Sequence, residues 1–248
     1  MFIAKIKAML LHGLISALVA LLASILVFYV WYPDGIAGLT GGTGLYLLVL
    51  GVEVALGPLM SLVIYNPKKS RSELVRDYAV VGLVQISALV YGLYTVSLSR
   101  PVFLVFVKDR IEVIAATELE QEDLQRAPED FKALPWLGPR LVCVEFPEDM
   151  KERTELLWSA LERGKDIHLQ PKYYRKCREG EILGAAYNKS QLSELTVIDL
   201  ADLPQSIEND EFHWLPLVSR FGAWIAVYPG GSMQQSIYVE QDPFTKGD

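Results

Sequence analysis

Three long apolar runs dominate the first hundred residues: Ala8 to Tyr32, Gly44 to Tyr65 and Tyr78 to Leu98. They are 25, 22 and 21 residues long and contain no Lys or Arg. An α-helix needs roughly 20 residues to cross the hydrocarbon layer of a bilayer. A soluble core helix of this length would show a polar face at every turn, and these do not. The pattern predicts three transmembrane helices. The first is too long for the apolar segment of a cleaved signal and ends in Phe28-Tyr29-Val30-Trp31-Tyr32-Pro33 rather than in small residues. It reads as a retained anchor with an aromatic belt at the interface.

After Leu98 the pattern changes. Pro101 opens an extended run, Val102–Val107, and Ile111–Ala115 reads as its hairpin partner across Lys108-Asp109-Arg110. A short acidic helix is expected over 117–126, with Thr117 as its cap and Glu120 completing a capping box. Leu134–Pro139 reads as a proline-rich link and Arg140–Phe146 as a strand. Glu148–Arg163 has acids in its first turn, Gly164 after its end, and Met150, Leu157, Ala160 and Leu161 as a core stripe. A shorter helical stretch is expected around Arg178–Tyr187. Strands are expected at Trp214–Ser219, Ala223–Tyr228 and Ser236–Glu240, with turns at Phe221-Gly222 and Pro229-Gly230-Gly231. The fold class is therefore membrane α-helical (three transmembrane helices, residues 1–98) followed by an α+β periplasmic domain (residues 99–248).

Charge sharpens the division. Residues 1–98 hold six basic and four acidic side chains, and residues 99–248 hold 17 basic and 26 acidic ones. This asymmetry excludes a single soluble globule, a disordered chain and a general nucleic-acid binder. Lys5 and Lys7 precede the first span, and the 66–77 loop adds Lys68, Lys69, Arg71 and Arg76, while the Pro33–Thr43 loop has no cation. Basic flanks stay in the cytoplasm, so residues 99–248 are expected on the outer side. The glycine-rich Gly41-Gly42-Thr43-Gly44 reads as a flexible loop.

Glu53 is the one acid inside a span. An ionised side chain at the bilayer centre costs about 3 kcal/mol, so it must face protein or water. Twelve residues separate it from Tyr65, about 18 Å along a helix. Gln85, Ser87, Tyr91 and Ser24 are its candidate partners, and His12 lies too low to meet it. Two readings stand: Glu53 is hydrogen-bonded within the bundle, or it meets a partner's membrane helix. Small residues at four-residue spacing (Ser16-Ala20-Ser24, Ala88-Gly92) likewise serve either a self-packed bundle or a docking groove. Gly57-Pro58 falls midway along the second span and is expected to bend it.

No catalytic, cofactor or metal signature is present: no G-x-S-x-G, H-E-x-x-H, phosphate-cradling glycine loop or C-x-x-C. His12, His168 and His213 lack ligand spacing. Cys143 and Cys177 are left open as a disulfide, buried small residues or free thiols. Tyr173-Tyr174, set among Lys172, Arg175, Lys176 and Arg178, is the concentrated basic-aromatic patch. It reads either as a contact surface or as a loop with its tyrosines tucked inward.

Several landmarks together resemble the type IV pilin accessory proteins, the TfpX/TfpZ group. They are His12-Gly13-Leu14-Ile15-Ser16-Ala17, Trp31-Tyr32-Pro33, Gly51-Val52-Glu53, Leu56-Gly57-Pro58-Leu59, Asn66-Pro67-Lys68-Lys69, Tyr91-Gly92-Leu93-Tyr94-Thr95-Val96, and Arg100 to Phe106 with Asp109-Arg110. Pro171 to Tyr174, Leu215 to Arg220 and the ending Asp242-Pro243-Phe244 are similar to further family landmarks, with the density greatest over 10–115. The resemblance implies a multi-pass inner-membrane protein that assists assembly of a particular major pilin, in a chaperone-like manner, and carries no enzymatic activity. Its implied partners are the pilin's transmembrane helix and globular head, other inner-membrane pilus assembly components and the lipid bilayer. The candidate partner contacts are Glu53, Gln85, Tyr91, Tyr173 and Tyr174. Two other classes remain in view: a membrane enzyme that modifies pilin by glycan or phospho-group transfer, and a membrane scaffold or sensor unrelated to pilin.

Overall fold

The computed structural model describes residues 2–204, 207 and 211–245. Three helices come first. Helix α1 spans Phe2–Ile25 and continues as a wider π-helical turn, Leu26–Trp31; α2 spans Gly42–Ile64 and α3 Arg71–Leu98. All three are long and apolar enough to cross a membrane, as expected. The helices outrun the apolar runs at the cationic end. Arg71–Asp77, expected as loop, is the first two turns of α3, because Ser70 and Glu73 form a reciprocal capping box. Lys69 bonds Asp77 at 2.6 Å and reaches the Ile64 carbonyl, covering the C-terminal end of α2.

Helix α2 lies between α1 and α3 and packs against both, while α1 and α3 touch little. The small-residue stripes explain the closeness. Ser16, Ala20 and Ala23 are buried, and a Cβ on Gly92 would stand 2.5 Å from the Val49 side chain. Outward, Leu10, Leu14, Leu18 and Leu21 on α1 and Leu83, Ile86 and Val90 on α3 are exposed, as lipid-facing side chains are.

An eight-stranded mixed sheet follows. Its strands are β1 (Pro101–Val107), β2 (Arg110–Ala115), β3 (Arg140–Val144), β4 (Tyr174–Arg175), β5 (Tyr187–Asn188), β6 (Phe212–Ser219), β7 (Gly222–Pro229) and β8 (Ile237–Val239). The order is β4-β3-β1-β2-β6-β7-β8, with β5 also on β6. Pairs β1–β3 and β2–β6 are parallel and the rest antiparallel. The three expected antiparallel pairs, β1–β2, β6–β7 and β7–β8, are present, and Lys108 takes the left-handed φ that the tight β1–β2 turn demands. Helices α4 (Gln121–Arg126), α5 (Met150–Arg163), α6 (Glu181–Ala185) and α7 (Leu192–Leu195) are short. Thr117 is not a cap. It lies in a 3-10 turn, where Glu118 instead accepts from the Ala115 N–H at 2.7 Å.

The period-2 alternation of the strands divides two faces. Phe106, Ile111, Val113, Cys143, Leu215, Leu217, Ala226 and Tyr228 face the helix ends and share a core with Val27, Trp31, Tyr32, Ile36, Ala37, Leu39 and Val96. The opposite face is covered by two groups, one around Phe103, Leu124, Phe131, Leu156 and Tyr174, the other around Leu192, Ile198, Trp214 and Ile225.

The connection over 33–43 is therefore not a free loop. Ile36, Ala37, Leu39 and Thr40 are buried, Ser219 Oγ donates to the Leu39 carbonyl at 2.7 Å, and a Cβ on Gly38 would touch the Trp224 ring at 2.9 Å. Nor do Trp31 and Tyr32 form an exposed belt. Both are buried in the junction, where the Tyr32 hydroxyl donates to the Val96 carbonyl, and Tyr29 alone of the trio points outward. A Cβ on Gly42 would come 2.5 Å from the Tyr32 ring, so residue 42 must lack a side chain.

Helix α5 also departs from its expected stripe. Only Leu156 is buried, while Met150, Leu157 and Leu161 are exposed. Leu119, Leu124, Phe131 and Ile167 already cover that face of the sheet, which leaves room for one contact line of α5.

Cys143 and Cys177 are joined in a disulfide, with Cα atoms 5.0 Å apart, across a sequence separation of 34. It ties β3 to the segment after β4. Closing a loop of this length contributes roughly 2–4 kcal/mol. Replacing both cysteines by serine should lower the apparent thermal midpoint of the solubilised protein to where reductant brings the native chain, and reductant should then have no further effect.

Candidate functional site

Polar side chains within the apolar helices are few, and the structure sorts them into two groups. The first is a clamp. His12 of α1 meets Ser61 of α2 through Nδ1 at 2.5 Å and Gln85 of α3 through Nε2 at 2.8 Å. One imidazole thus joins all three helices. Since the Gln85 oxygen can only accept, Nε2 donates in that bond, and Nδ1 shares the other with the Ser61 hydroxyl. Gly57 makes the crossing possible: a Cβ there would stand 2.5 Å from Gln85 Nε2 and 3.0 Å from both His12 Nε2 and Ser16 Oγ. Gly13 lies similarly close to Pro58. Higher in the bundle, the Tyr46 hydroxyl reaches Ser24 Oγ at 2.8 Å and the Ala20 carbonyl at 3.0 Å.

Glu53 stands apart from this arrangement. It makes no hydrogen bond or ion pair among the described residues, so the reading in which the bundle itself satisfies it is not realised. Its candidate partners are engaged elsewhere. Gln85 holds His12, Ser24 holds Tyr46, and the Ser87 hydroxyl donates to its own helix at Leu83. Tyr91 is 72% exposed and lines neither groove beside Glu53.

Both grooves beside Glu53 are smaller than a third, of about 390 Å³, which opens at the cationic end of the bundle beside Leu11, Tyr65 and Tyr78. One, of about 220 Å³, opens between α1 and α3 on α2 as its floor, lined by Ile15, Val19, Val49, Glu53, Gln85 and Ile86 among others. The other, also of about 220 Å³, runs along the α2–α3 seam past Val52, Leu56, Met60 and Val84. Glu53 and Gln85 line both. The carboxylate therefore lies on the seam within apolar walls, offered to whatever fills either groove. A carboxyl group there favours a cation or a hydrogen-bonding partner at the same depth.

The basic-aromatic patch is spent within the fold. Tyr173 and Tyr174 are buried, not exposed contacts, because their rings fill the core beside Phe103 and Phe131. Their hydroxyls bond Glu152 at 3.1 Å and the His168 carbonyl. Three of the four cations are paired as well: Lys172 with Glu152, Arg175 with Glu181 and Glu145, Lys176 with Asp130. Hydrogen bonds from the Arg175 guanidinium, with help from the Arg178 N–H, pull the Glu181 carboxyl down to about 2. No group of three or more His, Cys, Asp or Glu suited to a metal ion occurs among the described residues.

Reading spans one at a time finds Glu53 but misses the clamp. His12 and Ser61 each lie four residues from the cationic end of their apolar runs, and that matching depth is the signal that could have paired them.

An apolar three-helix bundle with a mixed sheet seated on its ends, and an acid without a partner among the described residues in its grooves, defines a membrane protein. The sequence comparisons name its family. The model of the family described as "Fimbrial assembly protein FimB" matches residues 1–34. The chain is 31% identical to "Fimbrial assembly protein, serogroup I" of Dichelobacter nodosus, over 98% of this chain and 97% of the relative. It is 30% identical to the serogroup E1 protein of that organism over the same shares. A third relative, assigned to serogroups C1 and C2, is 35% identical over 51% of this chain and 95% of its own length. The chain belongs to the fimbrial assembly protein family. No solved structure matches it.

Two predictions follow from the geometry. Gly57→Ala should push Gln85 off His12 and destabilise the solubilised bundle by roughly 1–3 kcal/mol in thermal unfolding. The loss should shrink in a Gln85→Ala background, where the closest of the three obstructing atoms is gone. For Glu181, the folded carboxyl titrates below its ordinary value of 4.5. Its contribution is complete above that value and is lost as the pH falls from there toward about 2. Glu181→Gln should therefore lower stability at neutral pH and flatten its decline across that acid window, as read from acid unfolding curves.

Proposed function

We propose that this protein is an inner-membrane, non-enzymatic assembly factor that handles one major pilin before or during its entry into a type IV pilus. The helical part, residues 1–98, takes the pilin's transmembrane helix, and the sheet part, residues 99–248, faces the periplasm and selects the pilin head. The observation that carries the reading is Glu53, an acid without a partner in an apolar groove, in a chain whose full-length relatives are named for fimbrial assembly. An apolar helix with a cation or donor at that depth would satisfy it, with Gln85 on the same seam and Tyr91 on the outer surface of α3 as further contacts.

Other observations support the orientation. The cations Lys5, Lys7, Lys68, Lys69, Arg71 and Arg76 gather at the end of the bundle away from the sheet. The disulfide in the sheet part suits an oxidising compartment. For the head, exposed Met150, Leu157, Trp158 and Leu161 on α5 offer an apolar surface, whereas Tyr173 and Tyr174 are buried, with Lys172 stacked over the Tyr173 ring.

Glu53→Gln and Glu53→Ala test the reading in a strain that lacks the native copy. Surface piliation should fall about tenfold or more, with the variant still present in the membrane at native level. The major pilin should co-purify with the solubilised native chain and less with either variant. Normal piliation would remove the role of Glu53, and failure of the native chain to retain pilin would remove pilin handling altogether.

A further inference from the structure

Two turns of the sheet lie against the ends of all three helices on the side where the sheet sits. In the first, Pro135–Gly138, the Pro135 carbonyl accepts from Arg100, two residues beyond α3, at 3.2 Å. The Arg100 guanidinium also stacks on Trp136, 4.3 Å from its ring centroid. At the other end of this turn, a Cβ on Gly138 would stand 3.3 Å from the Val30 carbonyl, in the last turn of α1. The second turn, Ser219–Gly222, joins β6 to β7. Ser219 bonds the Leu39 carbonyl, and the Phe221 ring lies 3.5 Å from where a Cβ on Gly41 would stand, immediately before α2. Both turns are thus held at the level where the helices leave their apolar layer.

Their side chains, however, are not used up by these contacts. Trp136 is 62% exposed, Leu137 87% and Phe221 62%. Tyr29, in the final turn of α1, is also exposed, and Arg220 stacks 5.0 Å over Phe221 with its guanidinium free of any ion pair among the described residues. Large apolar side chains this bare need a cover. Here the cover is set by position. The turns are continuous with three helices that cross a bilayer, and tryptophan, phenylalanine and arginine together suit the boundary between acyl chains and phosphates.

We infer that the Trp136–Leu137 and Arg220–Phe221 turns rest in the headgroup layer of the bilayer that the three helices cross, so that the sheet is seated on lipid around the helix ends. The aromatic belt expected of Trp31 and Tyr32 is supplied by residues more than a hundred positions further along the chain. This inference is independent of what the protein assembles.

The test uses the full chain in nanodiscs of phosphatidylethanolamine and phosphatidylglycerol. Leu137→Cys and Phe221→Cys are each labelled with an environment-sensitive fluorophore without reductant, so that Cys143 and Cys177 stay joined. Leu161→Cys on α5, across the sheet from the helix ends, is the reference. Both turn labels should emit further to the blue and be quenched at least threefold more strongly by lipids doxyl-labelled near the headgroup. Labels quenched no more than the reference would overturn the inference. So would labels shielded from iodide but untouched by the doxyl lipid, since the cover would then be protein. As a readout without introduced cysteine, Trp136→Phe should remove the largest share of lipid-quenchable tryptophan emission. An unchanged share would count against lipid contact.

Discussion

The architecture depends on one apolar junction. Val27, Trp31, Tyr32, Ile36, Ala37 and Leu39 form a wedge between the helix ends and one face of the sheet. Each partner alone would leave that surface to water, and the wedge buries it for both. Full burial of a large side chain is worth roughly 1.5–3 kcal/mol, so these residues offset much of the entropy of ordering the connection. Tyr32 and Ser219 then satisfy backbone carbonyls at its two ends. The membrane part and the sheet are therefore joined through packing as well as through Ser99-Arg100.

Within the helices the opposite principle operates. Apolar side chains gain little by meeting one another in lipid, so association relies on close approach and on polar ties. The His12 clamp and the Gly57 and Gly92 contacts supply both. A bundle already tied by these bonds has no structural need of Glu53, and the carboxylate remains available to a partner. That division between satisfied and unsatisfied polar groups gives the helical part a physical basis for assembly work. It also accords with the relatives of this chain, which are named as assembly proteins and not as enzymes.

The sheet part shows where charge and aromatic density mislead. Lys172, Arg175 and Lys176 with Tyr173 and Tyr174 look like a contact surface in the chain. In space the rings complete the core and the cations meet acids from α5, α6 and the segment near Asp130. Conversely, Met150, Leu157 and Leu161 read as core yet lie outside, because Leu119, Leu124 of α4 and Phe131 occupy the sheet face first.

Local periodicity alone determined the three spans, the basic end of the bundle, the β1–β2 and β6–β7 hairpins and the position of Glu53 as an anomaly. Each depends on neighbours within a few positions, where apolar run length and alternation act directly. Which strands pair across the chain, whether Cys143 meets Cys177, that Trp31 and Tyr32 turn inward while Trp136 and Phe221 stay bare, and that Gln85 binds His12 instead of Glu53 were decided only by the tertiary structure. These contacts join residues tens to more than a hundred positions apart. The competition for each partner is settled by which group the packed chain brings within reach, and no periodicity records that outcome.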